Sequence, residues 1–471
     1  MPTSTERTPL IGSHGTHSLD PTAQNTSYAP VDRGDAERGI GVVEEKGEAG
    51  FFSCTINLSN TILGTGMLAM PQAIASVGII PGILLIIYSG FASGFGLYLL
   101  ARCAARVNGR TSSFFSVARI TFPRAQILID SAIAIKCFGV GISYLIIIGD
   151  LMPGIMHAIM PELQLDSPML GRRFWITVLM VVVAPVSFFR RLDSLKHTSV
   201  VALFAVAYLV LIVVYSFITP SESSKLPPAG EIDLVRFSTK FFTNLPIFVF
   251  AFTCHQNIFS VYNELRDNSP RSITKVISSA IGASTIIYEV VGILGYLTFG
   301  NTAPSNIISA YPASWLVTIG RISIVILVLF SFPLQCHPCR NSLDKIAYGL
   351  WSSPSVVSNK PPEPPSTQKH VLMTTGIILA SYLISISVSQ LDLVLSFVGA
   401  TGSTTISFIL PGIFYWRVHQ NDPWRPKKIL AVLLLLYGVL VMICCLTFNF
   451  MRLYRDPSES GIPSRLLYII S

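Results

Sequence analysis

Charged residues are scarce in this chain. Asp, Glu, Lys and Arg make up only 12% of its 471 residues, whereas water-soluble domains carry about 25%. A soluble protein of this length would need the missing charge to cover two or three domains. This shortage, together with a mean hydropathy of +0.58, excludes a soluble enzyme and indicates a polytopic membrane protein.

The sequence also lacks a basic patch and a disulfide framework. The net charge is +8, but the basic residues are spread over short loops, so we expect no nucleic-acid partner. The eight cysteines fall inside or beside apolar runs rather than in loops that a disulfide could join. Cys336 and Cys339 form a CxxC motif without a second ligand pair, so we expect neither a metal site nor a cofactor.

Eleven long apolar runs follow a polar N-terminal segment. Each run is roughly 20 residues long, the length that crosses a hydrocarbon core about 30 Å thick. The predicted spans are 51–75, 79–101, 125–150, 173–189, 197–218, 241–262, 272–299, 314–336, 371–389, 392–415 and 428–450. We therefore expect an all-α integral membrane protein that lies in the lipid bilayer.

The composition of the terminal segments and the charges of the loops predict how the protein is oriented in the membrane. Residues 1–50 are polar and lack apolar periodicity, so they are predicted to be a disordered tail rather than a signal peptide. With this tail in the cytosol, 23 Lys and Arg lie on the cytosolic side and 8 on the other. Because positive residues favour the cytosolic side, residues 451–471 are predicted to form a non-cytosolic C-terminal tail.

Two of the spans contain residues that break helices. Span one carries Gly64 and Gly66, each of which disfavours helix by about 1 kcal/mol relative to Ala. Span six carries Pro246 and then a polar run over 253–257. A break inside lipid is tolerated only where protein or water satisfies the backbone. Interrupted helices at matching positions of two halves indicate a transport site near the midplane.

The chemistry of helix ends predicts the ligand of such a site. A half-helix N-terminus offers N–H groups to a carboxylate, and unwound carbonyls can hold an ammonium group, so an amino acid fits. The predicted substrate-binding residues are Thr61, Leu63, Gly64, Thr65, Gly66, Thr253, His255 and Asn257. Two alternatives stay open. The glycines could serve close helix packing alone, and His255 could be a neutral, hydrogen-bonded core residue.

Lys136, Glu289 and Arg321 are ionisable residues that lie deep within the predicted spans. A charge at the bilayer centre costs at least about 2.5 kcal/mol, so Lys136, Glu289 and Arg321 are candidates for function. We hypothesise that the Glu289 carboxyl carries a proton during transport. The alternative is a static ion pair between Glu289 and Arg321, whose depths of roughly 15 and 10 Å would allow contact.

Five stretches of the chain resemble the amino acid/auxin permease family, especially the fungal vacuolar amino acid transporters. They are 57–71, 143–150, 254–265, 292–300 and 333–340. The resemblance implies a LeuT-like fold with spans one and six broken. It divides a ten-helix core, 51–415, into inverted repeats of about 51–218 and 241–415, with an eleventh helix at 428–450. It also implies ion-coupled amino acid transport in the vacuolar membrane.

The resemblance gives two possibilities for the coupling ion. In sodium-coupled relatives an asparagine matching Asn60 helps to hold the ion, with a span-eight hydroxyl for which Ser331 is the nearest candidate. Few other oxygen ligands surround Ser331, and the fungal relatives resemble proton-coupled carriers. We therefore expect proton coupling and export from the vacuole. A sodium-coupled plasma-membrane importer and an amino acid sensor with a signalling tail are the alternatives.

A short motif in the N-terminal tail predicts how the protein is delivered to its membrane. Glu6, Leu10 and Ile11 resemble an acidic dileucine signal, which clathrin-adaptor proteins read for delivery to the vacuole. The double variant Leu10→Ala/Ile11→Ala is expected to be missing from the vacuolar membrane when it is followed by fluorescence microscopy. Delivery at the normal level would contradict this interpretation, and Leu19→Ala, elsewhere in the tail, is the control.

Overall fold

The computed structural model describes residues 47–107, 110–164, 166–190, 198–219, 229–351 and 366–455. The predicted sorting signal of Glu6, Leu10 and Ile11 lies outside these residues. So do most of the predicted tails.

Within the described ranges the chain is almost entirely helical. The helices are α1 Phe51–Ile62, α2 Thr65–Ala75, α3 Ile79–Ala104, α4 Phe114–Thr121, α5 Gln126–Ile159, α6 Arg172–Ser187, α7 Thr198–Ile218, α8 Lys240–Ala251, α9 Ile258–Glu264, α10 Pro270–Phe299, α11 Ile307–Ala310, α12 Trp315–Trp351, α13 Thr367–Ser387, α14 Leu391–Val398, α15 Leu410–Val418 and α16 Pro426–Arg455. Two π-helical turns, Gly399–Ser403 and Thr405–Ile409, join α14 to α15. The expectation of an all-α membrane protein is confirmed.

Nine helical segments of the described part have the length and apolar composition needed to cross a membrane. Two predicted spans fall outside this set for a physical reason. Span one is divided between α1 and α2, of 12 and 11 residues, and span four is the 16-residue α6. The count of eleven spans and the boundaries of the two repeats therefore stay predictions.

The centre of the bundle is built around α5 and α12, which make the most extensive helix–helix contact of the described residues. The prediction that span eight ends at residue 336 is wrong, because α12 continues through Pro333 and Pro338 to Trp351. Hydropathy marks where the apolar run stops, not where the helix stops. A helix tolerates proline when its neighbours satisfy the freed backbone groups.

One end of the bundle, here called the N-terminal face, holds residues 47–50. The prediction that the disordered tail extends to residue 50 is wrong, because Ala49 pairs with the chain just after α9. Its N–H donates to the Glu264 carbonyl at 2.9 Å, and its carbonyl accepts from the Arg266 N–H at 2.9 Å. Arg110 donates to the Leu265 carbonyl at 2.6 Å. These contacts place the N-terminal segment on the same side as two of the loops that the charge count assigns to the cytosol.

Glycine packing joins α10 to α2. A Cβ atom on Gly295 would lie 2.6 Å from the Pro71 ring, whereas one on Gly282 of the same helix would meet no atom within 4 Å. A contact of 2.6 Å cannot be relieved by rotating a flexible side chain, because the proline ring is rigid. Close approach of α2 and α10 therefore requires glycine at position 295.

Replacement of glycine by alanine is therefore expected to have opposite effects on stability at positions 295 and 282. Gly295→Ala is expected to destabilise the protein by about 1–3 kcal/mol through overpacking. Gly282→Ala is expected to be neutral or stabilising by up to about 1 kcal/mol, because alanine favours helix. The measurement is the thermal midpoint of each purified variant in detergent. Equal midpoints for the two variants would contradict the packing argument.

Candidate functional site

The two interrupted spans are broken in the structure as the sequence predicts. In span one the helix stops after Ile62, and Leu63 and Gly64 leave helical geometry with ψ angles of 77° and −144°. In span six α8 ends at Ala251, and a single 3₁₀ turn, His255–Asn257, precedes α9. Both breaks lie deep inside their spans, where lipid offers no hydrogen bonds, so their backbone groups need partners from the protein or from water.

A side-chain hydrogen bond joins the two breaks directly. The Asn257 amide donates from Nδ2 to the Thr61 hydroxyl oxygen at 2.7 Å. The same hydroxyl donates to the Asn57 carbonyl at 3.0 Å, one turn earlier in α1. Two predicted substrate-binding residues from opposite halves of the chain are therefore brought together.

The side chain of Tyr288, on α10, contacts both breaks. Its fully buried hydroxyl lies 2.5 Å from the Ile62 carbonyl oxygen and 2.8 Å from the Ala251 carbonyl oxygen. These carbonyls end α1 and α8, where the regular intrahelical hydrogen bonds stop. The Ile62 carbonyl also accepts from the Gly64 N–H at 2.8 Å, so the Ala251 carbonyl is the one that relies more on Tyr288. The hydroxyl has one proton and donates to one carbonyl at a time. The sequence interpretation did not identify this residue, although it identified the neighbouring Glu289 as a candidate for function.

The two glycines of span one have different environments. A Cβ atom on Gly66 would lie 2.9 Å from the Ala251 backbone, so this glycine allows α2 to pack against α8. A Cβ atom on Gly64 would meet no atom within 4 Å. Gly66 thus fits the packing alternative, while Gly64 borders open space at the break.

The residues on either side of Gly64 are buried. The Leu63 side chain belongs to the apolar core. The Thr65 hydroxyl accepts from Ser143 of α5 at 3.5 Å, which ties the start of α2 to span three. The first N–H groups of α2 have no intrahelical partner, and they begin at the open space beside Gly64. This arrangement can accept an anionic group.

His255 is held in the core by both of its ring nitrogens. Nε2 donates to the Ser93 carbonyl at 3.1 Å, and Nδ1 lies 3.1 Å from the Ser407 hydroxyl. Because a carbonyl only accepts, the neutral ring carries its proton on Nε2 and accepts from Ser407 on Nδ1. Thr253 lies 3.1 Å from the same Ser407 hydroxyl. Both predicted ligands thus fasten the span-six break to span ten.

Span ten contributes an irregular segment that the sequence interpretation did not single out. Two successive π-helical turns occupy 399–409, a geometry that is frequent at functional sites. A Cβ atom on Gly399 would lie 2.1 Å from the Pro246 carbonyl oxygen, and one on Gly402 would lie 2.8 Å from Lys136. The run of Gly, Ser and Thr in this apolar span was the available signal.

The ion pair between Glu289 and Arg321, which the sequence left open as an alternative, does not form among the described residues. Arg321 is buried and donates to three carbonyls, those of Ile308, Ser309 and Tyr311, at 3.3, 3.1 and 2.7 Å. Arg321 therefore secures the end of α11. Both carboxylate oxygens of Glu289 are buried, and no described residue forms a hydrogen bond with them. Three carbonyl contacts hold the Arg321 side chain at the end of α11. The depth of Arg321 in its span could not predict these contacts.

The two predicted sodium ligands lie on different helices. Asn60 is half-buried on the last turn of α1. Ser331 lies on α12, where it and Gln335 are within hydrogen-bonding reach of the Tyr144 hydroxyl of α5. The role of Asn60 and Ser331 in holding an ion stays a prediction.

Removal of the Tyr288 hydroxyl tests its connection to both breaks. Tyr288→Phe leaves a buried carbonyl without its donor, which costs about 1–3 kcal/mol. Amide hydrogen exchange across 62–66 and 251–257 is therefore expected to accelerate about tenfold. The control is Tyr296→Phe, which removes a hydroxyl that hydrogen-bonds Asn301 at 2.9 Å, two turns farther along α10. Equal acceleration in both variants would contradict the assignment.

Two of the proteins that this chain resembles are fungal vacuolar amino acid transporters. Vacuolar amino acid transporter 5 of Schizosaccharomyces pombe is 44% identical over 91% of this chain and 99% of its own length. Vacuolar amino acid transporter 6 of Saccharomyces cerevisiae is 39% identical over 84% of this chain and 97% of its own length.

A solved structure and a family model complete the comparison. MhsT, crystallised in complex with L-phenylalanine, superposes with a TM-score of 0.52 at 11% identity, over 84% of this chain and 97% of its own. This similarity confirms the LeuT-like fold. The model of the transmembrane amino acid transporter protein family matches residues 47–451. The predicted resemblance is confirmed: the chain belongs to this family of transporters and is not an enzyme.

Proposed function

We propose that this protein is a proton-coupled amino acid transporter of the vacuolar membrane that exports amino acids to the cytosol. The family membership and the two relatives named as vacuolar amino acid transporters support the substrate class and the membrane. Because the vacuole is acidic, a carrier that moves protons and amino acids together empties it.

The observation that carries the proposal is the meeting of two broken spans beside open space. The breaks expose the start of α2 and hydrogen-bond through Thr61 and Asn257 at 2.7 Å. Gly64 leaves room next to this pair. A zwitterion needs donors for its carboxylate and acceptors for its ammonium within a few ångströms of each other, and two opposed helix ends supply both.

Different residues have different roles at this site. The N–H groups of Thr65 and Gly66 at the start of α2 hold the substrate carboxylate, and the oxygen atoms of Thr61 and Asn257 hold the ammonium group. Thr253 and His255 act as positioning residues, because their polar atoms are bonded to the Val249 carbonyl, Ser93 and Ser407.

Glu289 is the proton-carrying group of the proposal. Its oxygens are buried and lack a hydrogen-bond partner within the part of the chain that the structure describes, and an unpaired charge inside a membrane is costly. A bound proton removes that cost while the carboxyl is away from water. Tyr288, the preceding residue, contacts both breaks. Protonation of Glu289 can therefore affect the helix that secures the substrate site.

The tail has a role in the same proposal. The acidic dileucine pattern of Glu6, Leu10 and Ile11 is recognised by adaptor proteins that carry the transporter to the vacuole. Sodium does not take part in the proposed cycle.

The proposal predicts the behaviour of purified protein in vesicles. An imposed pH gradient is expected to drive accumulation of a labelled amino acid, with loss of accumulation on adding a proton ionophore and no change when choline replaces sodium. Glu289→Gln is expected to reduce gradient-driven accumulation at least about tenfold while amino acid exchange without a gradient continues. A fall of this size corresponds to about 1.4 kcal/mol.

Glu289→Asp, which keeps a titratable carboxyl, is the matched control. Full gradient-driven accumulation by Glu289→Gln would contradict the role of this residue. Dependence on sodium in the unmodified protein would contradict proton coupling.

A further inference from the structure

A second polar cavity lies apart from the breaks, at the N-terminal face. It has a volume of 210 Å³ and lies between α4, α5, α9 and α12. This volume is below the about 300–1,000 Å³ typical of pockets for drug-sized ligands, so it suits a smaller molecule. Its wall combines one acid, Asp130, and one base, Lys345, with aromatic side chains and hydroxyl groups.

The two charges face each other without a tight contact. The Lys345 ammonium lies 3.7 Å from Asp130 Oδ1, and the Ser342 hydroxyl lies 3.4 Å from the same oxygen. Asp130 itself is only 4% exposed. Buried charges are normally paired and hydrogen-bonded, and both of these contacts are longer than the about 2.7–2.9 Å of a strong charge-assisted hydrogen bond.

The cavity adjoins the substrate site through consecutive residues of span six. Asn257 hydrogen-bonds Thr61 at the breaks, while the preceding residue, Gln256, lines the cavity. The Gln256 side-chain oxygen is buried and has no hydrogen-bond partner among the described residues. One short segment of span six therefore forms part of the cavity wall and part of the contact between the breaks.

The walls of the cavity differ in how they are held. Asp130 and Lys345 lie on α5 and α12, the pair of helices with the most extensive contact. The opposite wall, with Phe259, belongs to α9, a seven-residue half-helix that the break separates from α8. Phe259 packs edge-to-face on Phe114 with ring centroids 4.8 Å apart. The charged residues of α5 and α12 thus share one cavity with an aromatic side chain of the interrupted span.

We propose that this cavity is a second binding site for the transported amino acid, on its route between the breaks and the N-terminal face. Asp130 binds the substrate ammonium group, Lys345 binds its carboxylate, and Phe114 and Phe259 contact its side chain. The negative charge of Asp130 and the positive charge of Lys345 sum to zero. The site therefore suits amino acids with uncharged side chains. This assignment rests on the proposed function.

The test measures the apparent KM from each face of the membrane. Labelled leucine exchange is followed in proteoliposomes sorted by the orientation of an N-terminal tag. Lys345→Gln and, independently, Asp130→Asn are expected to raise the KM for leucine presented at the N-terminal face about tenfold. The KM at the opposite face is expected to change less than twofold, because the site at the breaks is intact.

Two controls separate charge from stability. Lys345→Arg keeps the charge and is expected to keep the KM within twofold of the unmodified protein. Lys369→Gln removes a lysine that pairs with Asp344 of α12 outside the cavity and is expected to leave both KM values unchanged.

The outcomes distinguish this inference from the proposed function. Equal KM changes at both faces, or no change in either charge variant, would overturn the second site while leaving transport in place. Absence of exchange by the unmodified protein with any amino acid would overturn the proposed function itself.

Discussion

Lipid offers no hydrogen-bond partner to a peptide group, and this constraint governs the whole molecule. A continuous helix meets it internally, but an interrupted helix must find partners in the protein. The chain meets the requirement with a few side chains from neighbouring helices. The Tyr288 hydroxyl serves the ends of α1 and α8, and the Ser93 hydroxyl donates to the Phe252 carbonyl at 2.8 Å. The site therefore depends on helices that hold no substrate.

The same constraint explains how polar residues are divided at the breaks. Some of them stabilise irregular backbone, and others remain available to a ligand. His255 and Thr253 belong to the first group, since Ser407 of the π-helical segment contacts both of them. Gly64 belongs to the second, since it borders open space. A polar residue near a break is thus an ambiguous signal until its partners are known.

Much of the architecture could be predicted from hydropathy and composition. The spans, both breaks and the family follow from apolar length, helix-breaking glycines and short motifs, because these are properties of local sequence. The ends of α12 and the pairing of Arg321 could not be predicted. Both are decided by contacts between distant segments, such as the carbonyls of α11 that Arg321 satisfies. Tyr288 was missed for the same reason. A single tyrosine in an apolar span does not show from sequence which distant carbonyls its hydroxyl contacts.

The pairing of Ala49 with the chain after α9 has a mechanical consequence. The first described residues are fastened by two backbone hydrogen bonds to the end of the half-helix that follows Asn257. Force applied to the preceding segment would be transmitted to the half-helix next to the substrate site. Conversely, a shift of that half-helix on loading would displace the point where the tail emerges.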